Sequence, residues 1–314
     1  MGATFADEPL AAYVADVAKE SGPLDVTEMR RASRLRARLR RSEPELPAVE
    51  SIRIGDLAAR LYRPSLGPLP LIVYLHGGGW TMGDLDTHDR LCRRLAYGAG
   101  AAVLAVDYRL APEHPWPAAV DDVVQALRWA HASPSELGTT TPGVAAVAGD
   151  SAGGTLAALS CLRLRAEAPA ALPDLQVLIC PNTDLTASHP SMRSKARGFG
   201  LTADTVRFFR SQWVPDRSRW TDPGVSPLFA PDLSGLPAAL VITAEHDPLR
   251  DEGEAYAARL RDAGVAVELR REEGLIHGFV TMDEISPACA AAGDRIAAEL
   301  RVRLGSQHDR VDSG

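Results

Sequence analysis

The sequence Gly149-Asp150-Ser151-Ala152-Gly153-Gly154 matches the pattern G-x-S-x-G and separates two different kinds of sequence. Residues 144–148 before it form a short apolar run, and residues 155–168 after it have helical periodicity without Gly or Pro. The pattern predicts a sharp turn from a buried strand into a helix, with Ser151 exposed as a candidate nucleophile. The glycines stand where a Cβ would clash, and the helix N-terminus favours negative charge. Because such a turn could also cradle a phosphate, the motif needs a second signal.

The second signal is the run His76-Gly77-Gly78-Gly79-Trp80, which directly follows the apolar residues 71–75. Three consecutive glycines allow the backbone to approach a ligand closely. The N–H groups of Gly77 and Gly78, with that of Ala152, are therefore predicted to form an oxyanion hole. A flexible loop is the alternative, but flexibility alone does not explain why His76 precedes the glycines and Trp80 follows them.

A serine nucleophile needs a general base, and His277 has the best position among the eight histidines. It follows the last apolar strand, on a turn that leads to the final helix. The alternative is a histidine that only packs. His76 belongs to the glycine loop and His308 to the C-terminal tail. Four others are expected in loops or at exposed helix ends: His88, His114, His131 and His189.

The imidazole also needs a carboxylate to orient it, and Asp247 is the first candidate. It follows the apolar strand at residues 238–244, and Pro248 stiffens the next turn. Glu245 is a rival two residues nearer the strand, and Glu273 is a weaker one. Asp247 could instead cap the helix that begins near Leu249.

Strand-like apolar runs alternate with helical stretches over most of the chain. A hairpin at residues 51–62 is predicted before them. Because continuous apolar strands that alternate with helices are typical of a parallel sheet covered on both faces, we expect an α/β fold. The strands predicted after the hairpin are residues 69–75, 101–106, 144–148, 175–180, 238–244 and 265–269.

The expected organisation is a catalytic domain at residues 46–304 with a smaller helical cap. Residues 1–45 supply one cap segment, and residues 184–223, which interrupt the alternation with large apolar side chains, supply the second. The arginines between residues 30 and 41 are interpreted as the polar face of a helix, with Leu35 and Leu39 on its other side. The last helix is predicted to end at Leu304, and residues 305–314 to form a disordered tail.

Composition argues against several classes of partner. The net charge is -7 over 314 residues, and no basic block interleaves with aromatic residues, so we expect no nucleic-acid partner. The sequence has neither a secretion-signal pattern nor an apolar run of bilayer length, which predicts a cytoplasmic protein without a membrane span. The cysteines lie far apart in apolar contexts and are expected to be reduced core residues. No Cys/His pair has zinc-ligand spacing, so we expect no metal.

Five stretches taken together resemble the hormone-sensitive-lipase-like carboxylesterases. Besides the two glycine motifs they are Asp107-Tyr108-Arg109-Leu110-Ala111-Pro112-Glu113, Asp247-Pro248-Leu249-Arg250-Asp251-Glu252-Gly253 and Ile276-His277-Gly278-Phe279. The chain order serine, acid, histidine also agrees with this family. The resemblance implies an α/β-hydrolase with a mostly parallel eight-stranded sheet, helices on both faces and a helical cap.

By the same resemblance, Ser151, Asp247 and His277 form the catalytic triad, and Gly77, Gly78 and Ala152 form the oxyanion hole. Residues 108–113 would brace the loops beneath the site. Thr155 departs from the family, in which many members have Asn there. The departure concerns packing at the helix start more than the chemistry.

The implied activity is hydrolysis of small or short-acyl esters through an acyl-serine intermediate, without a cofactor. The expected partner is a small-molecule ester, and a homodimer is left open. An amidase or N-acetyl hydrolase with the same triad is the alternative. A non-enzymatic small-molecule receptor on this fold is a further one, but such receptors typically lose the base.

Overall fold

The structure, a computed structural model, describes residues 4–19, 24–139 and 143–311, and only the backbone of residues 306–311. Its centre is an eight-stranded sheet of order β1-β2-β4-β3-β5-β6-β7-β8, antiparallel at β1/β2 and β2/β4 and parallel elsewhere. The strands are β1 Ala48–Ile54, β2 Leu57–Arg63, β3 Leu71–Leu75, β4 Ala102–Asp107, β5 Ala146–Asp150, β6 Leu175–Ile179, β7 Ala238–His246 and β8 Val267–Ile276. The prediction of a mostly parallel eight-stranded α/β sheet is confirmed.

Helices cover the sheet on both faces, as predicted. They are α1 Glu8–Val17, α2 Val26–Arg38, α3 Asp89–Ala99, α4 Ala118–Ala132, α5 Pro134–Leu137, α6 Ala152–Glu167, α7 Ser191–Ser194, α8 Ala203–Trp213, α9 Arg250–Asp262 and α10 Pro287–Val311. Short 3₁₀ helices span Pro169–Ala171, Arg217–Arg219, Pro227–Phe229 and Phe279–Thr281. One core lies under α4, α6 and α9, and a second under α3 and α10. The apolar strands therefore bury the side chains of both faces, each face against its own layer of helices.

Helix α2 faces the opposite way from the prediction. Leu35 and Leu39 are 56% and 80% exposed, whereas Ala37 and Arg40 line an internal cavity. The helix is held by polar contacts, since Arg30 donates to the carbonyls of two loops and to a carboxylate. The leucines are therefore not the packing face of this helix, and that interpretation was wrong.

Helix α10 continues to Val311, beyond the predicted end at Leu304. Gly305 does not adopt the left-handed backbone that terminates many helices, so the helical hydrogen bonds continue through it. Residues 305–311 are thus helical, and the predicted disordered tail is wrong for them. Residues 312–314 lie outside the described residues. Across the described part of the chain, α10 included, no helix combines the length and the apolarity that crossing a bilayer requires.

A buried ion pair joins the insertion between β6 and β7 to the rest of the fold. Arg210 on α8 and Glu252 on α9 are both fully buried, with 3.0 Å between Nη2 and Oε2. Arg210 also donates to Asn182 Oδ1 and to the Leu185 carbonyl, at 3.0 and 3.1 Å. Breaking a buried pair leaves an uncompensated charge, so these contacts hold the base of the insertion firmly.

Candidate active site

Ser151 occupies the sharp turn that the sequence predicted. It lies between β5 and α6 with φ +53°, a conformation that is strained for a residue with a side chain. The Ser151 N–H donates to the Ile179 carbonyl at 2.8 Å, which ties the turn to the neighbouring strand. A Cβ on Gly153 would collide with the Leu75 carbonyl oxygen, so the helix can start this close to β3 only with glycine there.

The structure brings Ser151, His277 and Asp247 into one hydrogen-bonded chain. His277 Nε2 lies 2.9 Å from Ser151 Oγ, and His277 Nδ1 lies 2.8 Å from Asp247 Oδ2. His277 follows β8 directly and Asp247 follows β7 directly, so the ends of adjacent parallel strands supply both groups. This geometry matches a nucleophile, a base and an orienting acid.

The rival carboxylates lie elsewhere. Glu245 accepts a hydrogen bond from the Gly274 N–H at 2.8 Å, and Glu273 is exposed. Asp247 is fully buried, and its second oxygen accepts from the Leu249 N–H at 2.8 Å. The turn-capping contact and the histidine contact thus use different oxygens of the same carboxylate, so the two interpretations of Asp247 are compatible.

Two opposing effects act on the imidazole. Burial of His277 disfavours its charged form, but the neighbouring Asp247 carboxylate favours it, and the net effect raises the pKa of His277 above its usual value. An imidazolium at His277 would therefore be stabilised by the adjacent carboxylate.

One part of the predicted oxyanion hole is wrong. The Gly77 N–H donates to Asp150 Oδ1 at 3.0 Å and also lies 3.3 Å from a ring nitrogen of His88, so it is not free for a substrate. Within residues 4–19, 24–139 and 143–311, nothing accepts a hydrogen bond from the N–H groups of Gly78, Gly79 or Ala152. All three residues line the cavity that contains Ser151. The N–H groups available to a substrate are therefore those of Gly78, Gly79 and Ala152 rather than those of Gly77, Gly78 and Ala152.

Asp150 braces the glycine loop from beneath. Its Oδ1 accepts from Tyr74 Oη at 2.8 Å in addition to the Gly77 N–H. Burial opposes the charge of Asp150, but contact with His88 and the Tyr74 hydrogen bond outweigh it and lower the pKa of Asp150. The sequence predicted an exposed position for His88, but the residue is buried. No local signal marks this histidine, because its partner lies 62 residues away in sequence.

Residues 108–113 also support this loop, as the resemblance implied. Tyr108 Oη donates to the His76 carbonyl at 2.7 Å, and the two rings stack at 4.2 Å. Burial and the nearby His88 lower the pKa of His76 to about 4, so His76 remains neutral and serves packing. Thr155, the departure from the family pattern, donates to the Asn182 carbonyl at 2.6 Å and so joins the start of α6 to the loop after β6.

Cys180 is a further neighbour of the triad that sequence reasoning placed only in the core. The four cysteines are buried and free, as predicted. The Cys180 sulfur lies with the ligand atoms of Asp247 and His277 inside a span of 4.8 Å, a grouping that could hold a metal ion. Burial and the Asp247 charge raise the pKa of Cys180 well above its usual value, so the thiol stays protonated and is a poor metal ligand.

A cavity of about 280 Å³ opens onto Ser151 and His277. Leu201, Val206 and Phe209 line it from the insertion, and α1 and α2 contribute a second wall. The Phe209 ring packs against Gly79, so the insertion touches the glycine loop directly. The cavity is therefore bounded by the carboxyl ends of the strands and by both segments predicted to form a cap.

Comparisons with known proteins relate this chain to ester hydrolases. A family model described as the alpha/beta hydrolase fold matches residues 72–281. The carboxylic ester hydrolase LipN of Mycobacterium tuberculosis is 48% identical over 255 residues, which is 80% of this chain and 68% of LipN. An ethyl acetate hydrolase of Pseudomonas putida is 42% identical over 233 residues, 73% of each chain. A solved esterase of Pyrobaculum calidifontis has a TM-score of 0.88 and 41% identity, covering 94% of this chain and 98% of its own.

Proposed function

This chain belongs to the hormone-sensitive-lipase-like family of α/β-hydrolases and is a carboxylic ester hydrolase, and we propose that it cleaves small or short-acyl esters through an acyl intermediate on Ser151. The observation that carries the proposal is the continuous chain from Asp247 through His277 to Ser151 Oγ. Each contact is already at hydrogen-bonding distance, so no rearrangement is needed before proton transfer.

In the first half-reaction, His277 Nε2 removes the Ser151 proton as Oγ attacks the ester carbonyl carbon. The N–H groups of Gly78, Gly79 and Ala152 receive the oxyanion. When the tetrahedral species collapses, the carbon–oxygen bond to the alcohol breaks and His277 returns the proton to the leaving oxygen.

In the second half-reaction, water attacks the acyl-serine ester and gives its proton to His277. The new tetrahedral species uses the same N–H donors. When it collapses, the bond between the acyl carbon and Ser151 Oγ breaks, the carboxylic acid leaves, and His277 returns the proton to Oγ. Asp247 holds the ring with Nε2 toward the serine throughout and stabilises each imidazolium.

Short substrates are favoured by the size of the cavity and by its walls. A volume of about 280 Å³ suits a small ester better than a long acyl chain. The ethyl acetate hydrolase among the relatives is consistent with this size class. We propose that residues 1–45 and 184–223 act together as a cap over this cavity, because both contribute lining side chains.

The family membership favours an ester over an amide as substrate. The same triad could cleave an activated amide, but the comparisons name ester hydrolases. The receptor alternative is disfavoured as well, because His277 is present and contacts Ser151.

The test is a panel of esters with graded acyl length, matched to N-acyl amines of the same acyl groups. We expect kcat/KM to peak at short acyl chains and the amides to be poor substrates. The Ser151→Ala variant, checked for an unchanged thermal melt, supplies the background rate. Efficient cleavage of the amides with slow cleavage of the esters would overturn the assignment.

A homodimer and a cytoplasmic location remain proposals. Light scattering of the purified chain over a range of concentrations tests the dimer, and fractionation of producing cells tests the location. A constant monomer mass would reject the first proposal, and recovery outside the cytoplasm would reject the second.

A further inference from the structure

The wall that α1 and α2 contribute to the active-site cavity carries hydrogen-bond donors that lack a partner among the described residues. Tyr13, Ser33, Arg36 and Arg40 all line the cavity. Across the described part of the chain, none of these four side chains has a hydrogen-bond or ion-pair partner. Arg40 is half-buried and Arg36 lies exposed at the rim.

The two acidic groups whose charge acts on Arg40, Asp283 and Glu284, are already paired. Asp283 contacts Arg90 at 2.7 Å and Arg94 at 2.6 Å. Glu284 contacts Arg41 at 3.1 Å. Burial lowers the pKa of the Arg40 guanidinium, although the Coulombic attraction of Asp283 and Glu284 acts in the opposite direction. Arginine nevertheless stays charged, so this guanidinium is partly desolvated without a direct counterion.

Arg36 and Arg40 stand four residues apart, and their like charges repel each other. A ligand carboxylate between them would replace that repulsion with two charge-assisted hydrogen bonds. The cavity itself offers no such acceptor among the residues described. Its one acidic lining residue, Asp150, is occupied by Tyr74, Gly77 and His88.

The position of this wall is set by two other arginines, which lie on α2. Arg30 donates to the Thr81 carbonyl at 2.6 Å and to the Glu113 carboxylate at 2.7 Å. Arg34 contacts Asp84 at 2.9 Å. These contacts hold α2 against the glycine loop, so its unpaired donors face the same space as Ser151.

We propose that the cavity selects esters that carry a carboxylate away from the scissile bond, with Arg40 as its main ligand and Arg36 as its second. This inference rests on the proposed ester hydrolase function and names its substrate class. The apolar wall of Leu201, Val206 and Phe209 then accommodates the hydrocarbon part of the substrate. The carboxylate lies either in the acyl part or in the alcohol part of the ester, and both share the same chemistry toward the two arginines.

Two substrate pairs test the proposal. Monoethyl succinate and ethyl levulinate differ at the end of the acyl part, where a carboxylate replaces a methyl ketone of similar shape. Acetoxyacetate and acetoxyacetone make the same comparison in the alcohol part. The measured quantity is the ratio of kcat/KM for the anionic ester to that for its neutral partner, so the intrinsic reactivity of each ester cancels when variants are compared.

We expect Arg40→Met to lower this ratio roughly tenfold or more in at least one pair, the scale of a lost hydrogen bond to a charged group. Arg38→Met is the matched control, because Arg38 lies two residues before Arg40, is exposed at the end of α2 and does not line the cavity. It should leave the ratio as it is. Added salt should lower the ratio in the unmodified enzyme, because ions screen the attraction.

A ratio that is the same in Arg40→Met, Arg38→Met and the unmodified enzyme would overturn the inference while ester hydrolysis itself stands. A ratio that does not change with salt would also count against it, independently of any variant. If the unmodified enzyme cleaves neither member of either pair nor any other short ester, the proposed function fails and this inference fails with it.

Discussion

The two sides of the active-site cavity differ in how their polar side chains are used. At the carboxyl ends of the strands, the triad groups contact one another and Asp150 is occupied by Tyr74 and Gly77. On the wall of α1 and α2, Arg40 and its neighbouring donors have no hydrogen-bond or ion-pair partner in the part of the chain that the structure describes. Fully partnered groups hold a fixed geometry, whereas unpartnered donors are available to a ligand.

We propose that the strand-end side of the cavity carries out catalysis and that the wall of α1 and α2 selects the substrate. Substitutions at the strand ends should reduce the rate for every substrate, since they disturb atoms that react or that hold reacting atoms. Substitutions on the wall should change which substrate is preferred. Variants of Ser151, Asp247 and Gly79 test the strand ends, and Arg40→Met tests the wall.

The largest effect is expected for Ser151→Ala, which should lower kcat on the order of a millionfold, because triad members act as a unit. The side chain is small and the fold does not depend on Oγ, so the thermal melt should not change. Initial rates on a short ester check this. A folded variant that kept substantial turnover would remove Ser151 from the mechanism.

Asp247→Asn should reduce kcat by roughly ten-thousandfold, because the amide favours the wrong histidine tautomer. Glu245→Gln is the matched control two residues away, and it should lose far less because Glu245 contacts the Gly274 N–H instead of His277. Both variants are compared at equal thermal stability. If Glu245→Gln were the inactive one, the acid of the triad would have to be reassigned.

Gly79→Ala tests the revised oxyanion hole. Gly79 has φ +60°, and an added Cβ would collide with the Phe209 ring, so the loop must shift. We expect kcat to fall about a hundredfold or more, the cost of one misplaced oxyanion donor, with a smaller change in KM. Gly67→Ala, whose Cβ would meet nothing within 4 Å, is the control. Equal rates for the two variants would argue against Gly79 as part of the site.

The smallest effect concerns pH. Only neutral His277 can accept the serine proton, and Asp247 raises the pKa of His277, so activity should be lost as pH falls through that raised value. The midpoint of kcat/KM should therefore lie above about 6.5, with a tenfold loss per unit below it. A profile that is flat from pH 5 to about 9 would exclude a histidine base.

Sequence reasoning predicted the triad because strand ends and chain order constrain it strongly. Ser151 and His277 each follow an apolar run, and parallel strands bring such ends to one edge of the sheet. The choice between Asp247 and Glu245 needed the structure, since both follow the apolar run at residues 238–244 from which the strand was predicted. The predicted division into a catalytic domain and a cap stays a prediction that the lining of the cavity supports.

The errors share a physical cause, which is dependence on contacts distant in sequence. In the sequence, the three consecutive glycines are equally good candidates for an oxyanion donor. The structure distinguishes them, because the Gly77 N–H already donates to Asp150. The periodicity of α2 reveals two faces but not which one meets the protein, so Arg40 was assigned to the outer face. His88 gave no signal, because only the fold places Asp150 beside it.

Ser151 is proposed as the nucleophile that becomes acylated. An electrophilic phosphonate ester, which forms a stable adduct with an activated serine, tests it by peptide mass spectrometry. We expect one adduct per chain, on the peptide that contains Ser151, with loss of activity in proportion to labelling and no label in Ser151→Ala. Complete inactivation with the adduct on any other residue would contradict the account.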